Sequence, residues 1–324
     1  LPWTVPDLGD GGRLVWAYAT FTLMMLAYTV LSIPYSALSG VITADSQQRT
    51  QLISFRFIAA FAGTMAVNWL TLDLVRWLGR GDEALGWQLT LSLYGVIATA
   101  AFVTVFLTTR ERLPPPPRQP SAIRQDIADL LHNRPWMVLF ALALIIMVTI
   151  VMRGGSLAYY LKYHLERPEL TGLFLGTYAL ALAVGAGLTP LMTRYVDKRR
   201  LMAWLMAGVG VVSCAMFLVP PESVWLMLAL NLLVGLMLGP KSPLAFSMYA
   251  DCADYTEWKT GRRATAMTFA AAAFSQKLGG ALASATIAWI LAGMGYVANA
   301  TQSDGSRLGI ALLLTVIPGG IALL

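Results

Sequence analysis

The chain is built from blocks of about 20 apolar residues separated by short charged or Pro/Gly-rich connections, and this pattern limits it to one class of fold. Inside hydrocarbon every backbone N–H and C=O needs an internal partner, which leaves only helices and closed barrels. Continuous rather than alternating hydrophobicity selects the helix. The 324 residues are 57% hydrophobic and 12% charged, about half the charged fraction of roughly 25% in an average soluble domain. The expected fold class is an all-α polytopic membrane protein surrounded by the lipid bilayer. Soluble enzymes, secreted scaffolds and nucleic-acid binders are excluded.

Nine candidate spans follow from the apolar runs, at about 14–40, 52–72, 86–109, 136–162, 171–193, 201–219, 223–250, 264–294 and from 308 onward. Counting Lys and Arg alternately by connection gives thirteen on one side and six on the other. The richer set, which holds residues 49, 110–134, 194–200 and 251–263, is placed in the cytoplasm. The formal net charge of +6 is thus largely topology and requires no nucleic-acid partner. The chain starts at Leu1 and stops at Leu324 inside an apolar run, so it reads as part of something longer.

The longest connection, with its run Pro114 to Pro117, forces a stiff extended segment ahead of a short amphipathic stretch around Ile123 to Leu131. It divides three spans from six. The expected organisation is a helical bundle remnant at 1–109, a cytoplasmic linker at 110–135 and a second bundle at 136–324, as in a transporter of two six-helix halves whose first three helices are missing.

Four basic residues stand inside apolar spans: Arg56, Arg153, Lys241 and Lys277. All seventeen acidic residues lie in connections or at span ends. A cation at a helix centre costs about 2.5–3.5 kcal/mol on insertion scales, so something negative should face these four. A carboxylate on an absent helix and an anionic group on a substrate are the two candidates. Snorkelling to the interface is an alternative for Arg56, near the cytoplasmic end of its span. Thirteen residues separate Lys277 from the nearest loop arginine, about 20 Å along a helix, so snorkelling does not serve it.

Small residues flank Lys277 on its helical face: Ala270, Ala273, Gly280, Ala281 and Ser284. They provide either close helix packing or room for a solute. In the first span Tyr28, Ser32, Tyr35, Ser36 and Ser39 form a polar stripe around Pro34, suited to a cavity wall or to helix-to-helix hydrogen bonding. Gly239-Pro240-Lys241-Ser242-Pro243 loosens another span beside a buried charge, as a kink or as a discontinuous helix of the kind that marks transport sites. Arg153 lies one to two turns before Tyr159 and Tyr160 near an outer span end. Cys214 and Cys252, like His132 and His164, have no spacing for a disulfide or a metal, and no catalytic residue is assigned.

Several strings resemble one family. Ile33-Pro34-Tyr35-Ser36-Ala37-Leu38, Thr43-Ala44-Asp45 with Arg49 and Arg56, and the run Asp251-Cys252-Ala253-Asp254-Tyr255-Thr256-Glu257-Trp258-Lys259-Thr260-Gly261-Arg262-Arg263 are similar to the glycoside–pentoside–hexuronide:cation symporters, whose familiar member is the melibiose permease. Gln276-Lys277 and Gly295-Tyr296-Val297-Ala298-Asn299 extend the resemblance through nearly the whole chain, in the family's order.

The resemblance implies a major facilitator superfamily fold, with this chain covering helices four to twelve of twelve and the cation-site aspartates on helices outside it. It implies that Tyr28, Arg56 and Lys277 line the central cavity and that Lys277 couples the sugar and cation sites. Ser32 and Ser36 stand where galactoside transporters of the family carry an aspartate and a tryptophan, and Lys241 where the melibiose permease has an aromatic residue. These departures tilt the expected substrate away from galactosides and toward an acidic one such as a hexuronide.

The expected function is symport of a sugar, glycoside or hexuronide, driven by Na⁺ or H⁺, by a monomer in the cell's inner (plasma) membrane with no cofactor. Tyr28, Ser32, Ser36, Arg56, Arg153, Lys241 and Lys277 are the candidate solute-binding residues. Asp45, Arg49, Asp251, Asp254, Arg262 and Arg263 are the candidate cytoplasmic gate. A lipid or other organic-anion transporter of the same fold is the alternative. An intramembrane enzyme is disfavoured, because the spans offer no nucleophile–base pair and no ligand set.

Overall fold

The computed structural model describes residues 9–110, 123–261, 265–298 and 300–324. Twelve α-helices are assigned among these residues: α1 (Asp10–Leu38), α2 (Ser46–Gly79), α3 (Glu83–Thr108), α4 (Ile123–Leu131), α5 (Arg134–Tyr159), α6 (Thr171–Tyr195), α7 (Lys198–Met216), α8 (Val224–Leu238), α9 (Lys241–Thr260), α10 (Thr265–Gly293), α11 (Asp304–Leu314) and α12 (Val316–Ala322). α5 continues into one π-helical turn, Tyr160–His164.

Eight segments of the described residues are long and apolar enough to cross a membrane; α8 with α9 counts as one, and so does α11 with α12. α10 falls outside that set because Gln276 and Lys277 sit in its middle, yet its 29 residues extend about 44 Å, ample for a crossing. Pro34 stays within α1, which runs on to Leu38. The loosened span is a break: α8 ends at Leu238 and a new helix starts at Lys241. The final span begins at Asp304, four residues before its expected start, and breaks at Thr315 (φ −114, ψ −82).

Short polar side chains set several helix starts. Asp45 Oδ1 accepts from the backbone N–H of Gln47 (2.7 Å) and Gln48 (3.2 Å), Asn133 from Trp136, and Asp197 from Arg199 and Arg200. Each such cap is worth about 1 kcal/mol. One sequence expectation needs correcting here. The charged segment expected as a cytoplasmic loop at 251–263 belongs, as far as Thr260, to the last turns of α9, closed by Gly261 at φ +70, and Arg262 and Arg263 lie outside the described residues. Residues 111–122 of the 110–135 linker, with the run Pro114 to Pro117, lie outside the described residues, and its distal part includes α4, whose Leu130 is buried.

Helices pack through small residues, since lipid tails give no hydrophobic drive between apolar helices. A Cβ on Gly279 of α10 would stand 2.7 Å from the Leu144 carbonyl oxygen of α5. A Cβ on Gly239 would stand 2.5 Å from the Leu182 carbonyl oxygen of α6 and 2.7 Å from Gly185 Cα. Of the small residues on the face of Lys277, Ala273 borders open space described below, while Gly279, off that face, presses on α5. α5 to α12 share one buried core that includes Phe174, Val234, Leu244 and Leu313. α2 packs against α3 on one side and against α6 and α9 on the other, and α1 packs against α10. These contacts join the two bundles along a central seam.

Candidate functional site

A cavity of about 480 Å³ opens along that seam. α1 contributes Tyr28, Ser32 and Ser36; α2 contributes Arg56 and Phe57; α5 contributes Ala143, Ile146 and Met147. The break between α8 and α9 brings Lys241 and Ser242 to the wall, followed by Phe246 and Tyr249, and α10 adds Phe269, Ala273, Gln276 and Lys277. Six of the seven candidate solute-binding residues thus meet in one space. Ser242 and Gln276, quoted in motifs but not as solute-binding candidates, join them, as do Tyr249 and the aromatic Phe57 and Phe246, which the sequence did not single out.

Arg56 does not snorkel. Its guanidinium carbon lies 4.3 Å from the Tyr35 ring centroid and 5.2 Å from that of Phe246, within cation–π range. One terminal nitrogen donates to Ser36 Oγ at 3.2 Å, and the other is buried without a hydrogen-bond partner. Lys277 Nζ donates to Thr29 Oγ1 at 2.8 Å and stands 5.7 Å from the Tyr28 centroid. Its partner among the described residues is therefore a hydroxyl on α1. Lys241 is 7% exposed and makes no hydrogen bond or ion pair to a described side chain.

Arg153 is brought to a different place. It is 2% exposed and lies within the second bundle, where it donates to Ser213 Oγ (2.9 Å), the Leu314 carbonyl (3.1 Å) and Asn231 Oδ1 (3.3 Å). The Leu314 carbonyl is exposed by the break between α11 and α12, so the guanidinium ties that break to α7 and α8. Arg153 does not line the cavity.

On the side expected to be cytoplasmic the cavity has a polar floor. Arg49, 1% exposed, pairs with Asp251 (2.9 Å) and Asp254 (3.0 Å). Lys198 at the start of α7 pairs with the other oxygen of Asp251 at 2.7 Å and donates to Ser46 and Ser247. Thr50 and Ser247 share a hydrogen bond of 2.9 Å one helical turn further in. α2 of one bundle is thereby fastened to α9 and α7 of the other. Of the candidate gate residues, Arg49, Asp251 and Asp254 are joined; Asp45 is the N-cap of α2; Arg262 and Arg263 lie outside the described residues. Lys198 was missed because Lys198-Arg199-Arg200 reads as ordinary cytoplasmic charge. A serine or threonine on each facing helix was the available signal.

The sequence profile of the family described as MFS/sugar transport protein matches residues 1–324, the whole chain. The chain belongs to this family. The inner membrane symporter YicJ of Escherichia coli (strain K12) is 35% identical over 319 residues, which cover 98% of this chain and 69% of that protein. The putative glycoside/cation symporter YagG of the same organism is 32% identical over the same shares. The isoprimeverose transporter of Lactiplantibacillus pentosus is 30% identical, covering 98% of this chain and 67% of its own length. As a member of the MFS/sugar transport family the protein has the major facilitator fold, is a transport protein rather than an enzyme, and is a multi-pass protein of the plasma membrane.

Proposed function

We propose that this protein is a cation-coupled symporter that carries a sugar, glycoside or hexuronide through its central cavity, driven by Na⁺ or H⁺. The observation that carries this reading is the cavity itself, lined by hydroxyls, cations and aromatic rings from both bundles and floored by ion pairs that join them. Pockets of 300–1,000 Å³ are the usual size for small-molecule sites. A solute held by both bundles can drive them to rock, and breaking the floor would open the cavity to the cytoplasm. The printed names of the relatives, a symporter, a glycoside/cation symporter and an isoprimeverose transporter, support the same reading.

In this mechanism Tyr28, Ser32 and Ser36 offer hydrogen bonds to solute hydroxyls, and aromatic rings supply apolar faces against a sugar ring. Lys277 is the coupling residue: its ammonium responds to the charge of the bound cation and thereby orders the Tyr28–Thr29 side of the cavity. The test is uptake of a panel of glycosides and uronides into vesicles, with and without an inward Na⁺ or H⁺ gradient. Accumulation that requires one gradient supports the reading. Uptake that merely equilibrates under every condition overturns it.

A further inference from the structure

Resting on the transport reading above, we propose that the start of α9 is an anion subsite, at which Lys241 selects a carboxylated sugar over its neutral counterpart. Three separate observations converge on this place. The chain breaks after Leu238 and restarts as a 20-residue helix at Lys241, so the N-terminal end of α9 faces the cavity. Unsatisfied N–H groups and the helix dipole make such an end favourable for negative charge. Pro243 removes one of those N–H groups, which leaves the work to the Lys241 and Ser242 side of the turn.

The second observation is Lys241 itself. A lysine only 7% exposed, with no side-chain partner among the described residues, is costly to keep charged, and an anionic ligand in the cavity it lines is the natural way to offset that cost. The third is Arg56, which lines the same cavity and has a buried terminal nitrogen without an acceptor. Its other nitrogen already serves Ser36. No Asp or Glu is among the lining residues described, so neither cation is neutralised from within the wall. Lys277 differs from both, because it donates to Thr29.

A carboxylate suits this pair of donors. It carries the negative charge that both cations lack within the wall, and a charge-assisted bond to Lys241 is about twice as strong as a neutral one. The remaining wall, Tyr28, Ser32 and the aromatic rings, fits the hydroxylated, partly apolar body of a sugar ring. A hexuronide meets both demands, whereas the matching glucoside would leave Lys241 buried and unpaired.

The test compares methyl β-D-glucuronide with methyl β-D-glucoside, which differ only by a carboxylate in place of a hydroxymethyl group. Binding to the purified full chain is measured by calorimetry at neutral pH, and uptake by vesicles is followed in parallel. The wild type is expected to favour the glucuronide at least tenfold. Lys241→Gln should weaken the glucuronide tenfold or more and abolish the preference for it over the glucoside, while Lys241→Arg should retain the preference. Loss of the preference in Lys241→Arg as well as in Lys241→Gln overturns the charge-based assignment. So does equal or tighter binding of the glucoside to the wild type, or binding of neither probe. If gradient-driven uptake of a neutral glycoside persists in those cases, the symport reading stands without the subsite. If no gradient drives uptake of any solute, the symport reading fails as well.

Discussion

Arg49 and Asp251, 202 residues apart in the chain, meet at 2.9 Å beneath the cavity, with the arginine almost wholly buried and the aspartate shared with Lys198. A single carboxylate is thus held from two sides, by α2 of the first bundle and by α7 of the second. As the proposed cytoplasmic gate, such a joint would stabilise the state closed on that side. Its components add nothing to the state in which the bundles have parted.

Arg49→Ala or Asp251→Ala should therefore shift the balance away from the closed state by about 1–2 kcal/mol, a ~5–30-fold change in its population. Transport rate is expected to fall several-fold while solute affinity stays within about twofold. Labelling of a cysteine placed near Thr50 from the cytoplasmic side should accelerate. The charge exchange Arg49→Asp with Asp251→Arg should recover part of the rate, although Lys198 then faces an arginine and keeps recovery incomplete.

Lys277→Ala is expected to abolish the cation dependence of uptake rather than solute binding alone. Thr29 loses its donor, and the Tyr28 side of the cavity is no longer tied to α10. Solute affinity measured with and without saturating cation should become equal. An unchanged cation dependence would remove Lys277 from the coupling role.

Arg153→Met should lower the melting temperature without altering solute affinity. The change leaves Ser213, Asn231 and the Leu314 carbonyl without their donor in a buried setting, at about 1–3 kcal/mol for each group that finds no substitute. A change in affinity larger than about twofold would instead connect this residue to the cavity.

Gly279→Val forces atoms into the Leu144 backbone of α5, where even one Cβ has no room. Overpacking of this kind costs about 1–3 kcal/mol. The neighbouring Gly280, whose Cβ would meet only Val151 at 3.8 Å, should accept alanine with little effect. Thermal denaturation of the two variants side by side measures the difference.

Spans and buried cations were legible because hydrocarbon makes both of them expensive to get wrong. A run of 20 apolar residues has one use, and a charge inside it must be explained. Depth along a helix is also legible, but what covers that depth is not. Arg153 is seven residues, about 10 Å, beyond Ile146 on the same face of α5. At Ile146 that face meets the cavity; at Arg153 it meets α7, α8 and the broken final span. Asp45 and Asp251 look alike as acidic residues near cytoplasmic ends, yet one caps its own helix and the other bridges two. Local hydrogen bonding decided the first, and tertiary approach decided the second. Lys198 was hidden for the same reason, its role residing wholly in partners 49 or more residues away.

The proposed symport requires that solute and cation move together through the cavity between the bundles. The most direct measurement is cation flux caused by solute alone: adding a transported solute to vesicles with no imposed gradient, while intravesicular pH and Na⁺ are recorded. Entry of H⁺ or Na⁺ in step with solute, lost in Lys277→Ala, is the predicted result. Solute entry with no accompanying cation movement would contradict the account.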